Sequence, residues 1–160
     1  MKKLLIVGAG GHGRVVAEAA EACGWGKIDF LDDNNPIAVG KINELESLIS
    51  SCDGVIISIG RNELRSKLSE LCGDSLISII HPKAYVSPSA TVGAGSIILP
   101  GAVVHSGTVV GRGCIVSIGA LIDHDAVIGD FCHINAGAVV GAGRRVDSLT
   151  KIDAGIIISQ

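Results

Sequence analysis

The side chains best suited to chemistry are gathered in one tripeptide, Asp123-His124-Asp125, with His105 before it and His133 after it. A carboxylate bonded to one ring nitrogen of an imidazole fixes the tautomer, raises basicity and leaves the other nitrogen free to take a proton. Acyl transfer from a thioester to an amine or hydroxyl needs such a base, together with N–H donors for the oxyanion. The alternative for the same three residues is a solvated corner. His133 lies nine residues beyond His124.

A second constellation stands near the start. The apolar run KLLIV (3–7) is followed by Gly8-Ala9-Gly10-Gly11-His12-Gly13 and then by a helical pattern from Arg14 to Cys23. Strand, glycine turn and helix N-terminus make an anion cradle, in which backbone N–H groups and the helix dipole favour phosphate. Asp32-Asp33 follows a second strand (27–31) about twenty residues after the glycines, where a nucleotide-binding βαβ unit places an acid for a ribose hydroxyl or base edge. A third turn, Gly60-Arg61-Asn62, also follows a strand (54–59), so one crevice would collect all three. There is room for about one mononucleotide-binding half, which disfavours a dinucleotide. His12 would face the ligand or solvent.

The elements that must carry these residues fall into two parts. Strands at 3–7, 27–31, 54–59 and 76–80 alternate with helices at 14–23, about 43–50, and 63–72, predicting a small Rossmann-like parallel α/β sheet over residues 1–80. Beyond His81-Pro82 a different order takes over. Val or Ile recurs every sixth residue from Val86 to Ile158, without a miss over 158 − 86 = 72 residues. A small side chain usually stands four places after each Val or Ile, and glycine recurs three places after each Val or Ile, as expected where each hexad turns a corner. Six residues at about 3.3 Å each make one short face, three faces close a rung, and residues eighteen apart stack in a parallel β-coil over 81–160. Cys114 and Cys132 are eighteen apart and are expected as stacked core thiols.

On this coil His124 and His133 fall half a rung apart, on different sides. Two coils packed side by side could present both to one substrate, which predicts a homo-oligomer, most simply a three-fold ring with sites in the clefts. A formal charge of −3 gives no reason to expect nucleic acid or an anionic membrane as partner, and no apolar run reaches the length of a membrane span. The N-terminal MKKLLIV reads as a first strand, not a leader. Five cysteines without a CxxC pair fit a reducing cytoplasm.

The order GAGGHG, LDD, SIGRNELR, HPKAYVSPSA, the hexads and IDHDAVIGDFCHINAGAVV resembles the hexapeptide-repeat acyltransferases, in particular the bacterial sugar O- and N-acetyltransferases that modify sialic acids and UDP-linked amino sugars. The resemblance runs from Lys3 to Val140. It implies a left-handed β-helix, acetyl-CoA as co-substrate with no metal, and a sugar or sugar-nucleotide acceptor. In that family the residue matching His124 is the general base, tuned by the one matching Asp125, and the match of His133 contacts acetyl-CoA. The matches of Gly10, Gly11, His12, Asp32, Asp33, Gly60, Asn62 and Glu63 hold the sugar nucleotide. Arg144, Arg145 and Lys151 break the apolar and small pattern near the end and could meet the CoA phosphates. Ser117 stands where the family often has Asn, and the coils after Val140 are shorter than is common there. Other readings are a non-catalytic scaffold or nucleotide-sensing subunit, and a β-helical zinc hydratase using His105, His124 and His133 across an interface.

Overall fold

The structure is a computed structural model that describes residues 1–159. Strand β1 (Lys3–Val7) is apolar on both faces after its first residue, so it becomes the centre of a parallel sheet, between β2 (Lys27–Leu31) and β3 (Gly54–Ile57). Helix α1 (Gly11–Ala22) joins β1 to β2. It begins three residues earlier than its apolar pattern predicts, which places Gly11, His12 and Gly13 in its first turn. The helix can start so close to the strand because Gly13 has no side chain: a Cβ there would collide with the carbonyl oxygen of Gly8. The helix expected over 43–50 is one α-turn, α2 (Leu45–Leu48), flanked by 3-10 turns at Ile42–Glu44 and Ile49–Ser51. Only Leu45 of this stretch is fully buried, so little apolar surface rewards a longer helix. Helix α3 (Asn62–Glu70) follows β3.

The expected fourth strand of the α/β sheet is divided between two sheets. Leu76 bridges Val55 of β3, and the Ile77 N–H donates to the Val55 carbonyl at 3.0 Å. Two residues on, Ile79–Ile80 pairs with Ile97–Ile98 of the coil. The coil therefore starts ahead of His81-Pro82, and the two parts share a four-residue passage instead of a free linker.

From Ile79 onward the chain is a parallel β-helix of two-residue strands. One face stacks 79–80, 97–98, 115–116, 133–134 and 151–152; the second stacks 85–86, 103–104, 121–122, 139–140 and 157–158; the third stacks 91–92, 109–110, 127–128 and 145–146. Every register step is eighteen residues, as in Ile115↔His133 and His133↔Lys151. The second residue of each strand points inward, and Ile98, Val104, Val116, Ile122, Ile134 and Val140 are completely buried. Each such side chain contributes about 1.5–3 kcal/mol of transfer free energy. Cys114 and Cys132 also line this core as free thiols, donating to the carbonyls of Gly129 and Asp147 at 3.1 and 3.0 Å.

From residue 95 onward the corner position after each strand is left-handed, which glycine supplies at most turns. Three corners carry a side chain there: Asp125 (φ 59°), Phe131 (φ 56°) and Leu149 (φ 62°). Aspartate tolerates this region, whereas a Phe or Leu costs roughly 1–2 kcal/mol.

The first face of the coil is the one that meets the α/β sheet. Ile79, Ile97 and Ile115 point out of the coil into a cluster with Leu4, Ile6 and Val16, all buried. His133 and Lys151 continue the same outward column beyond the apolar part of that junction.

Candidate active site

Asp123-His124-Asp125 forms the corner between the second and third faces. The His124 Nδ1 lies 2.8 Å from Asp125 Oδ2, and the His124 backbone N–H donates to Asp123 Oδ1 at 2.7 Å. With the Nδ1 proton given to Asp125, Nε2 keeps its lone pair and can accept a proton. The bond to Asp125 raises the His124 pKa above the ordinary histidine value, with smaller contributions from the charges of Asp123 and Asp125. The left-handed backbone of Asp125 turns its carboxylate back toward the ring, over Gly107 on the turn below; a Cβ at Gly107 would collide with Asp125 Oδ1. Glycine at 107 therefore leaves the space that the carboxylate occupies.

His105 belongs to the same corner one turn earlier. Its ring meets the His124 ring edge-on with centroids 6.3 Å apart, and its Nδ1 is 3.6 Å from Asp123 Oδ1. A cavity of about 260 Å³ opens beside them, floored by Val103, Leu121 and Val139 of the second face, with His105 and Asp123 at its polar edge.

His133 lies elsewhere. It sits on the first face, where its Nε2 is 3.1 Å from Ser117 Oγ and its ring centroid is 6.4 Å from that of His12 on α1. The sequence gives no sign of this pair, because only the docking of α1 on the coil creates it. His12 Nε2 and His133 Nδ1 are buried with no protein partner. Burial lowers both pKa values, that of His133 to about 4, assisted at His133 by His12 and Arg65 and at His12 by Arg65. Both rings are therefore neutral near pH 7. His105 and His124 share one corner while His133 sits with His12, and the described residues hold no group of three or more His, Cys, Asp or Glu placed to bind a metal.

Arg65 was not singled out by its sequence context, yet it holds this junction together. It is completely buried and donates from Nε to the Gly113 carbonyl (2.6 Å), from Nη1 to Ile59 (2.8 Å) and from Nη2 to Phe131 (2.9 Å) and to Asn62 Oδ1 (2.7 Å). Desolvation brings its pKa down to about 10, which leaves it charged. Asn62 donates onward to the Leu149 carbonyl at 2.9 Å. The side chain of Asn62, expected at the sugar nucleotide, is thus committed to the coil.

The remaining expected residues divide as follows. Asp32 accepts from the backbone N–H groups of Ala9, Asn34 and Asn35, which lowers its pKa and ties the end of β2 to the glycine turn. Asp33 Oδ1 accepts from the Ile42 N–H at 3.0 Å. Gly10, Gly11 and Gly60 are exposed, and a Cβ on any of them would meet nothing within 4 Å. Glu63 is exposed and lines a surface depression of about 220 Å³ with Arg61, Leu64 and Lys67. The three terminal cations are exposed but do not form one cluster: Arg145 pairs with Val127 on the third face beside Arg144, whereas Lys151 follows His133 on the first and lies 3.5 Å from Asp153.

Residues 3–71 match the family described as the PglD N-terminal domain. The UDP-N-acetylbacillosamine N-acetyltransferase of Bacillus subtilis (strain 168) is 36% identical over 110 residues, covering 60% of this chain; the chain spans about half the length of that relative, 50%. The acetyltransferase domain of PglB from Neisseria gonorrhoeae FA1090 is 36% identical with a TM-score of 0.88, over 99% of this chain and 91% of that one. The same domain in complex with acetyl coenzyme A gives 35% and 0.84, over 99% and 93%. A histidine-to-asparagine mutant of perosamine N-acetyltransferase from Caulobacter crescentus, in complex with CoA and GDP-perosamine, is 26% identical with a TM-score of 0.81, over 100% and 90%. A small parallel α/β sheet set on a β-helix, with this identity over almost the whole length of a solved relative, shows that the chain belongs to the hexapeptide-repeat sugar acetyltransferase family.

Proposed function

We propose that the protein transfers the acetyl group of acetyl-CoA to an amino group, or a hydroxyl, of a nucleotide-activated or acidic sugar. The observation that carries this reading is the 2.8 Å bond from His124 Nδ1 to Asp125, which leaves an acid-tuned Nε2 free at a half-exposed corner beside a cavity. His124 takes the acceptor proton, the nucleophile adds to the thioester carbonyl, and the tetrahedral intermediate expels the CoA thiolate, which recovers the proton. The glycine turn at Gly10 and Gly11, the loop at Asp32 and Asp33, and the start of α3 at Gly60, Asn62 and Glu63 form the acceptor side, with the open space over the glycines admitting a phosphate. Asn62 would contribute through its backbone. His12 and His133 offer unpartnered nitrogens where acceptor and donor sides meet, and Arg144, Arg145 and Lys151 would meet CoA phosphates.

In this reading the working unit is a homotrimer. The second face presents Tyr85, Leu121 and Ile157, each 43% exposed or more, as an apolar column suited to a second coil. Because His124 and His133 are on different sides of one coil, a neighbouring coil would close the cleft over the base. Five unpaired thiols accord with a cytoplasmic setting. Thiol release from acetyl-CoA, measured with a panel of UDP- and GDP-linked amino sugars and their amine-free counterparts, tests the activity. Turnover with at least one amino sugar is expected; acetyl-CoA left intact by the whole panel contradicts the reading.

A further inference from the structure

Resting on the acetyl-transfer reading, we propose that His105 is a second acid–base residue of this site, receiving the first proton of an ammonium-bearing acceptor while His124 receives the second. A sugar amine is largely protonated near neutral pH, and its acetylation removes two protons from nitrogen, whereas an alcohol loses only one. A single imidazole that has taken the ammonium proton is no longer able to take the next. Two imidazoles stand at this corner, edge to face at 6.3 Å, and His105 lines the cavity beside them.

Their partners differ. His124 Nδ1 is bonded to Asp125, so its proton-accepting atom is Nε2. His105 Nδ1 faces Asp123 Oδ1 at 3.6 Å, and this oxygen already accepts the His124 backbone N–H. Asp123 Oδ1 therefore lies between the two histidine-bearing turns. The titratable groups facing His105 are Asp123 on the turn above and His124 beside it, with Asp125 behind His124; Ser87, in register on the turn below, carries no charge. The His105 side chain is 49% exposed in the single chain.

The steps balance. The ammonium gives one proton to His105, and the freed nitrogen lone pair bonds to the thioester carbonyl carbon as the C=O pair moves to oxygen. His124 removes the second N–H proton from the adduct, the C–S bond breaks, and His124 returns that proton to the thiolate. The proton on His105 leaves to solvent, so the products are amide, CoA thiol and one free proton.

The test is the pH dependence of kcat/KM for acetylation of an amino-sugar nucleotide by wild type, His105→Asn and His105→Gln, with thermal unfolding to confirm folding. Both variants should lose about 100-fold near pH 6.5 and come within about threefold of wild type near pH 9, where the amine arrives unprotonated. A loss of the same factor at every pH, or no loss at pH 6.5, overturns the role of His105 while leaving acetyl transfer intact. Wild type that turns over no amino sugar overturns the amine as acceptor in the acetyl-transfer reading, and this inference with it.

Discussion

Arg65 Nη2 donates to the Phe131 carbonyl at 2.9 Å, so the α/β unit grips a coil corner whose backbone is left-handed at a bulky residue. With the Gly113 and Leu149 carbonyls held by Arg65 and Asn62, three successive turns of one corner are fixed from helix α3. The expensive conformation at Phe131 persists because its surroundings over-determine it. Its ring also lies over Gly113, where a Cβ would collide with it.

Arg65→Met should therefore destabilise the protein by about 3–5 kcal/mol, since several buried carbonyls lose their donor at once. Urea unfolding of the two proteins measures the difference. Arg65→Lys should recover only part of it, because an ammonium cannot reach carbonyls on both units in the planar geometry of a guanidinium.

Leu149 is 43% exposed and held at φ 62°, so its side chain gains little while its backbone is strained. Leu149→Gly should stabilise the protein by about 0.5–1 kcal/mol, the relief of left-handed strain outweighing the added freedom of the unfolded chain. The carbonyl bond to Asn62 is kept in that variant. A higher midpoint in thermal unfolding is the expected result.

His133 should make the protein acid-sensitive. Its folded pKa of about 4 lies below the ordinary value of 6.5, so between those limits the unfolded chain binds the extra proton and stability falls as pH drops. The contribution is complete above pH 6.5 and lost on approaching pH 4. Because the ring is partly accessible, the loss should be on the order of 1 kcal/mol and not the full linkage value. Unfolding midpoints across this window should show a shallower slope in His133→Gln than in wild type.

At the corner, Asp125→Asn removes the main cause of the raised His124 pKa. The acid limb of kcat/KM, where His124 becomes protonated and ceases to act as a base, should move to lower pH, with a rate loss of about tenfold or more on the plateau. Gly107→Ala should produce a related defect from a residue that touches no ligand, because its methyl displaces the Asp125 carboxylate.

Much of this was legible in the residues. The hexad rule specified the register of the coil strands from Tyr85 onward, and the first strands and glycine turn of the α/β unit emerged from apolar runs and punctuation. The bond within His124-Asp125 was legible because adjacent residues at a tight corner have few places to go. The same rule carried a further signal: Asp125, Phe131 and Leu149, like Ser89, stand where glycine is otherwise expected, and the first three mark the corner that holds His124 and the two corners gripped by α3. The His12–His133 pair and the Arg65 clamp could not be read, since they join residues far apart in sequence through the docking of two units. The split of residues 76–80 between sheets has the same origin, for Leu76 and Ile79 are equally apolar and only their neighbours tell them apart.

The most direct test is the rate of CoA thiol release from acetyl-CoA by wild type and by His124→Asn, with the same amino-sugar nucleotide at saturating concentration. The account predicts a loss of about 1000-fold or more in kcat, with unfolding midpoints unchanged because the ring is half exposed at the surface. A folded His124→Asn protein that keeps a rate within tenfold of wild type would contradict it.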